Sequence, residues 1–506
     1  MSLTRRHLLQ AGSLSLAGIL TGIAGAQGSA QAAFGSARAQ TRIPSLPALR
    51  SRLKGRLLLP TDPQFSARVA PFDTYSDFGP PVALVEAANE ADVTAGIDYC
   101  RTTGTQIAVR SGGHNYAGYS TTSGLLISVA GLNRIQVDPA RHQVVVGAGV
   151  RLGDLYAALA QRGEMVPAGT CPTVGVAGHV YGGGFGLHAR KFGLLADNLL
   201  SARIALANGR IVTASARSNP SLFWAIRGGG GGNFGYATSF TLRTHPIGKL
   251  SAFKFEYPWS RGRQAFAAWQ SMIPTLPAGL TMGSALLNNG SGTSNPAAMG
   301  VQVFGVFHGP ASELEAILKP LTAQAGEPAI RTLKDMTFME QVLYFGNCDS
   351  LDACKAPMQL DFYAKSCFVQ RPYDAAAIET LFRAVEQWPG TQRNCMIESF
   401  SYGGEVNAVP SAATAFPHRK QLFCSQQVAY FGPSESTASK AAAVTWLNNL
   451  HAQMAPSGSG GAFVNYIDAD QSDWQRAYYG GNWQRLRQVR RRYDPQGLFA
   501  FPQAVT

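Results

Sequence analysis

Gly169-Thr170-Cys171-Pro172-Thr173-Val174-Gly175-Val176-Ala177-Gly178-His179-Val180-Tyr181-Gly182-Gly183-Gly184-Phe185-Gly186 holds seven glycines in eighteen residues and no Asp, Glu, Lys or Arg. An ordinary solvated loop is polar. This one reads as backbone pressed against a large, flat or phosphorylated ligand, because glycine has no Cβ to hold such a ligand away. Cys171, taken alone, reads as a small buried hydrophobe, as most free cysteines are.

Two further glycine-rich stretches flank it. Arg110-Ser111-Gly112-Gly113-His114-Asn115 follows the strand-like Gln106–Val109 directly. Consecutive glycines let backbone N–H groups converge into an anion nest suited to a pyrophosphate. The spacing alone fits a turn with an incidental histidine equally well. Downstream, Arg227–Gly235 contains a literal G-x-G-x-x-G at Gly230, Gly232 and Gly235, with Glu256 near the distance of a ribose-binding acid. A dinucleotide fingerprint must open a helix, whereas Ala237–Thr244 is β-branched and alternates like a strand, so a Rossmann site is excluded.

Together the motifs R-S-G-G-H, C-P-T-V-G-V-A-G-H-x-x-G-G-G-x-G and F-W-A-I-R-G-G-G-G-G-N-F-G resemble the FAD-linked oxidases of the vanillyl-alcohol oxidase fold, in their berberine-bridge-enzyme-like branch. The ending agrees: Phe463–Asp468, Tyr478–Asn482, Tyr493-Asp494-Pro495 and Phe499–Gln503. The resemblance spans about residues 65–506. It implies an α+β protein: a two-subdomain PCMH-type FAD-binding domain, with an α/β substrate domain whose antiparallel sheet lies over the flavin. The implied division is 65–245 and 455–506 for the FAD domain and 246–454 for the substrate domain.

The resemblance also implies roles. His114 stands where the flavin 8α-methyl is bonded and Cys171 where flavin C6 is bonded, so the FAD is expected to be bicovalent. Cofactor contacts are expected from Arg110, Ser111, Gly112, Gly113, Asn115, Gly118 and Ser120. Further contacts fall to Gly169, Thr170, Val174, Gly175, Gly178, Gly182, Gly183, Gly235, Ala237, Asn465 and Asn482. Tyr466 matches a position where a tyrosine serves as base. A phenol with a pKa of about 10 needs a neighbouring positive charge, or a strong hydrogen bond to its phenolate, to do so at neutral pH. Glu398, in the strand-like Met396–Gly404, is the second catalytic candidate, and Phe400 shares its face. His179 and His188 are assigned structural roles. Val174 sits at the family's oxygen-access position, and its small branched side chain goes with oxidases.

The implied activity is hydride removal from an alcohol carbon of a carbohydrate or secondary metabolite, with reoxidation by dioxygen to give hydrogen peroxide. The alternatives are a dehydrogenase or oxidative cyclase on an amine or phenol, and a flavin-fold binding protein without activity. Peroxide yield in air and flavin reduction by candidate donors separate them.

Composition bounds the remaining possibilities. The 506 residues suffice for two or three domains, and 14% charged with 45% hydrophobic residues is globular. The formal charge of +13 suggests a polyanion partner, but residues 1–60 hold eight Lys or Arg and no acid, leaving about +5 elsewhere. No nucleic-acid partner is expected. Arg485–Arg492 reads as the solvated face of a C-terminal helix. Arg5-Arg6 precedes an interrupted apolar stretch to Ala26 and the small residues Ala30-Gln31-Ala32, which reads as a cleaved twin-arginine signal over 1–32, with 33–64 a leader. The stretch falls short of the roughly 20 apolar residues of a span. The mature protein is therefore expected to be exported, periplasmic or extracellular, and free of membrane. None of the seven cysteines forms C-x-x-C, so no metal site is expected; Cys348 and Cys354 are the pair first expected to bridge.

Overall fold

Short apolar runs closed by Gly, Pro or polar residues dictate the first layer. Ala83-Leu-Val-Glu86, Ile107-Ala-Val-Arg110 and Leu125-Leu-Ile-Ser128 are runs of four, largely buried, as strands of a covered parallel sheet must be. The computed structural model describes residues 45–76, 79–289, 296–355, 359–390 and 394–506. The expected signal, 1–32, and residues 33–44 of the leader lie outside the described residues.

Strands β1 (Arg56–Leu58), β2 (Ala83–Glu86), β3 (Ile107–Arg110) and β4 (Leu125–Ser128) form a sheet in the order β1-β2-β4-β3. Its three inner pairings are antiparallel at β1/β2 and parallel at β2/β4 and β3/β4. Helix Glu90–Thr103 connects β2 to β3; Asn89 caps it by accepting from Asp92 N, and Gly104 at φ 72° ends it. A second, antiparallel sheet takes β5 (Ile135–Asp138), β6 (Gln143–Gly147), β7 (Leu199–Ala205), β8 (Ile211–Ser215) and β9 (Tyr236–Arg243) in the order β5-β6-β9-β7-β8. The five-glycine run thus opens strand β9 and no helix.

The third sheet has seven antiparallel strands: β10 (Ser251–Pro258), β11 (Leu280–Asn288), β12 (Met299–Phe307), β13 (Ile330–Asp335), β14 (Asp361–Val369), β15 (Cys395–Ser401) and β16 (Phe423–Phe431). Their order is β13-β10-β12-β11-β15-β16-β14. Period-two alternation gives the sheet two different faces. Phe253, Phe255, Val301, Val303 and Ile397 pack with Phe266, Trp269, Leu318, Leu381 and Leu447 from the helices Trp259–Met272, Ala311–Ala325, Ala375–Glu386 and Thr437–Met454. The opposite face, with Ala285, Phe304, Phe400 and Cys424, meets Phe185, Leu187, Tyr402, Phe416 and Phe463. That second face looks onto the glycine-rich backbone.

Local contacts set the helix ends. Helix Leu152–Ala160 has Arg151 as N-cap, because Arg151 is held extended by a bridge to Gly175; Asp154 sits in the first turn and pairs with Lys355. Helix Ala311–Ala325 runs on through Pro320. Helix Trp483–Tyr493 buries Leu486, Val489 and Tyr493 and exposes most of its basic run, but Arg490 is buried against Asp494 and donates to the carbonyls of Asn233 and Phe499.

Candidate active site

One cavity of about 440 Å³ lies between the glycine-rich loops and the second face of the seven-stranded sheet. Its floor shows why the loops need glycine. A Cβ on Gly112 would lie 2.2 Å from Gly175 N, and one on Gly182 would lie 2.1 Å from Asn465 Nδ2. The two loops can only touch as bare backbone. Gly178 and Gly231 are the converse: they line the cavity with nothing within 4 Å of an added Cβ, so a flat ligand can lie against them.

The wall also offers unfilled hydrogen bonds. The amide N–H groups of Gly112, Gly113 and His114 meet no acceptor among the described residues. Ser120 Oγ, on the wall, and Arg110 Nη2 behind it are buried without partners. Such convergent donors suit a pyrophosphate. No Lys or Arg lines the cavity among the described residues.

Of the expected cofactor contacts, Ser111, Gly112, Gly113, Asn115 and Ser120 reach the wall from the end of β3. Gly169, Thr170, Val174, Gly175, Gly178 and Gly182 reach it from the second loop, and Ala237 and Asn465 complete it. Five lie off the wall. The Arg110 guanidinium gives Nε to the carbonyl of Ser120 and Nη1 to those of Val69 and Ala70, which leaves only Nη2 unpartnered behind the wall. Gly118 makes a left-handed turn at φ 74°, and Gly183 faces the Phe416 ring. The Gly235 carbonyl accepts from Tyr181 Oη. Asn482 gives its amide to the carbonyls of Ser411, Thr414 and Ala415 and so ties loops together off the cavity wall.

His114 and Cys171 both stand on the wall, joined through a residue behind it: Thr173 Oγ1 is 3.0 Å from His114 Nε2 and 3.3 Å from Cys171 Sγ. Burial and the charge of Arg151 push the His114 imidazolium down to about 3, so the ring is neutral at physiological pH. Phe72 stacks on that ring at 3.7 Å between centroids, held by Phe72 N donating to Gly113 O and Leu360 N donating to Phe72 O. His179, pushed down to about 4 by burial, accepts from Gly169 N at Nε2 and so braces the Cys171 loop. His188 is likewise structural, in contact with His308 at 3.1 Å.

The sheet contributes Glu398, Met396 and Phe400 from β15 and Gln426 and Tyr430 from β16. Register sets Glu398 directly opposite Gln426, and Gln426 Nε2 donates to Tyr116 Oη at 3.2 Å. Tyr116 in turn stacks on Tyr466, centroids 5.7 Å apart and planes 11° apart. Tyr466 lies in the 3-10 turn Val464–Tyr466, positioned by Asn465, whose side chain bridges Gly178 O and Gly184 N. Burial and the neighbouring Tyr116, Cys424 and Glu398 hold the Tyr466 phenol well above its usual value. The positive charge that Tyr466 needs in order to act as a base is absent from the wall. Glu398 is different: burial lifts its carboxyl to about 7, which poises it between acid and carboxylate.

Tyr116, Gln426, Tyr430 and Phe72 were not among the residues expected from sequence. Tyr116 lies two residues beyond His114, a proximity that could have pointed to it. Gln426 becomes visible only through the β15/β16 register.

Comparison with known proteins agrees with this arrangement. The "FAD binding domain" family model matches residues 81–215 and "Berberine and berberine like" matches 462–506. The chain is 32% identical to the uncharacterized FAD-linked oxidoreductase YvdP of Bacillus subtilis over 461 residues, covering 90% of this chain and 98% of that one. It is 29% identical to berberine bridge enzyme-like 17 of Arabidopsis thaliana, with 84% of each covered. The solved structure of BBE-like 1 from Physcomitrella patens superposes with a TM-score of 0.83 at 29% identity, covering 91% of this chain and 99% of that one. No described helix is long and apolar enough to cross a membrane. The fold is α+β with a PCMH-type FAD-binding arrangement, the cavity fits FAD, and the chain belongs to the berberine-bridge-enzyme-like family of FAD-linked oxidoreductases.

Proposed function

We propose that this protein is an exported oxidase whose FAD is bonded to both His114 and Cys171 and which removes hydride from an alcohol carbon. The observation that carries the reading is that His114, Cys171 and Glu398 share the wall of one cavity, two on its glycine-rich side and one on the sheet. In this reading the Glu398 carboxylate accepts the donor's hydroxyl proton, and Tyr116 and Tyr466 orient the donor by hydrogen bonds from their phenols. When bound, FAD supplies the two-electron acceptor and passes the electrons to dioxygen, giving hydrogen peroxide. Val174, on the same wall as Cys171, carries the small branched side chain that goes with oxidases, which supports dioxygen as acceptor.

The sheet-side wall of Leu360, Phe362, Met396 and Phe400 around Glu398, Gln426 and Tyr430 favours a secondary metabolite with an apolar ring face over a free sugar, which needs many polar partners. The expected division into an FAD domain (65–245 with 455–506) and a substrate domain (246–454) is supported by the third sheet lying within 246–454. Strand Arg56–Leu58, inside the expected 33–64 leader, pairs into the first sheet and extends the first unit back beyond residue 65. Export by the twin-arginine route is supported by the leader sequence and by the Cys348–Cys354 disulfide, a bond suited to an oxidising compartment. An anaerobic screen of aromatic alcohols, sugars, phenols and amines tests the activity. Bleaching of the flavin by an alcohol, with stoichiometric peroxide on readmitting air, is expected. Bleaching without peroxide would make the enzyme a dehydrogenase, and no bleaching by any donor would argue for a binding protein.

A further inference from the structure

The contact between His114, Cys171 and Thr173 constrains more than distance. Thr173 is 6% exposed, and its side chain stands off the cavity wall while both of its partners stand on it. A hydroxyl has one proton to donate and lone pairs to accept with, a neutral imidazole has one N–H, and sulfur either donates weakly or accepts. Two arrangements satisfy all three groups. In one, the hydroxyl donates to Nε2; the ring proton then sits on Nδ1, and Sγ keeps its proton to donate into Oγ1. Neither group is then nucleophilic on its cavity side. In the other, Nε2–H donates to Oγ1 and the hydroxyl proton points at sulfur. Nδ1 then holds the free lone pair, and sulfur accepts a hydrogen bond that favours the thiolate, its reactive form.

We propose that the Thr173 hydroxyl is the shared positioning group for flavin attachment, accepting from His114 Nε2 so that Nδ1 bonds, and donating to Cys171 so that sulfur bonds as thiolate. The proposal rests on the bicovalent reading. At His114 an N–C bond forms to the flavin 8α carbon as one C–H bond of that methyl breaks; the Nε2 proton leaves through the Thr173 hydroxyl. At Cys171 an S–C bond forms at flavin C6 as the C6–H bond breaks and the thiol proton is lost. Each bond removes two hydrogens, one from the flavin and one from the side chain. One dioxygen per bond takes up both, with the electron pair left in the ring, as hydrogen peroxide.

The test compares wild-type, Thr173→Val and Thr173→Ser proteins, each produced with FAD, by intact mass under denaturing conditions and by sequencing of flavin peptides. A hydrogen bond to a charged sulfur is worth roughly 1.5–3 kcal/mol, equivalent to about a 10–100-fold change. The expected result is that Thr173→Val still binds FAD but carries at least about tenfold less flavin linked at Cys171, and lags in the His114 bond. Thr173→Ser, which keeps the hydroxyl and loses only a methyl, restores both bonds. A purely structural role for the side chain predicts no such rescue pattern. Wild-type levels of both bonds in Thr173→Val overturn the proposal. If Thr173→Val does not accumulate as folded protein, Thr173→Ser decides alone: both bonds support the proposal, and loss of either from the folded protein overturns it. A wild-type protein lacking one bond sinks the bicovalent reading itself, and is recognised without reference to any variant.

Discussion

Glu398 shares the cavity wall with no lysine or arginine, and burial alone lifts its carboxyl to about 7. Tyr466 suffers the same burial, but for a phenol the shift carries it further from any physiological pH. The same desolvation therefore brings the Glu398 carboxyl toward physiological pH and carries the Tyr466 phenol away from it. The sign of the pH effect follows: the basic form of Glu398 exists above about 7, so flavin reduction by the donor should rise as pH increases through that value and then level. Glu398→Gln should slow reduction by roughly 10²–10⁴-fold and abolish the inflection, while Tyr466→Phe should cost less and keep it. Anaerobic stopped-flow reduction across pH measures both. An unchanged inflection in Glu398→Gln would return the proton to another group.

Elements bring these residues together by contacts that a linear reading sees unevenly. The glycine loops were legible because close approach to a backbone leaves a compositional mark: Gly112 against the Gly175 backbone and Gly182 against the Asn465 side chain allow no Cβ. The strand after Gly235 was legible from its alternation. Gln426 was not, because its place opposite Glu398 is a matter of register between strands joined by a long connection, and Tyr430 reaches the wall from the same strand. The partners of Asn482 were not legible for a related reason: three carbonyls from residues 411–415 claim its amide, and nothing local announces them. Arg490 hides likewise within a basic run, buried by Asp494 on its own helix turn. The close approach at Gly182 makes a direct prediction. Gly182→Ala must displace Asn465 and break its bridge between Gly178 and Gly184, costing roughly 1–3 kcal/mol of stability and shifting the adjoining Tyr466 turn. Thermal unfolding should show a lowered Tm and flavin reduction should slow; a variant with wild-type Tm would mean that the loop contact is not tight.

At the scale of the whole molecule, two sheets and their glycine loops build the floor of the cavity and a third sheet roofs it, an arrangement that on the proposed reading holds cofactor and donor by different layers. Two covalent tethers suit that design, since they fix the flavin while the roof stays free to accept a bulky donor. They also suit a protein exported already folded. Replacing Arg5 and Arg6 by lysine should leave FAD-loaded precursor in the cytoplasm, read by fractionation; continued export would point to the general secretory route. The central claim, the doubly bonded flavin, is tested most directly by precipitating the purified protein with acid and digesting the pellet. The account predicts yellow colour in the pellet and a flavin peptide joining the segment of His114 to the segment of Cys171, with the flavin released only when both residues are replaced by alanine. Flavin washing into the supernatant from the wild-type protein would contradict it.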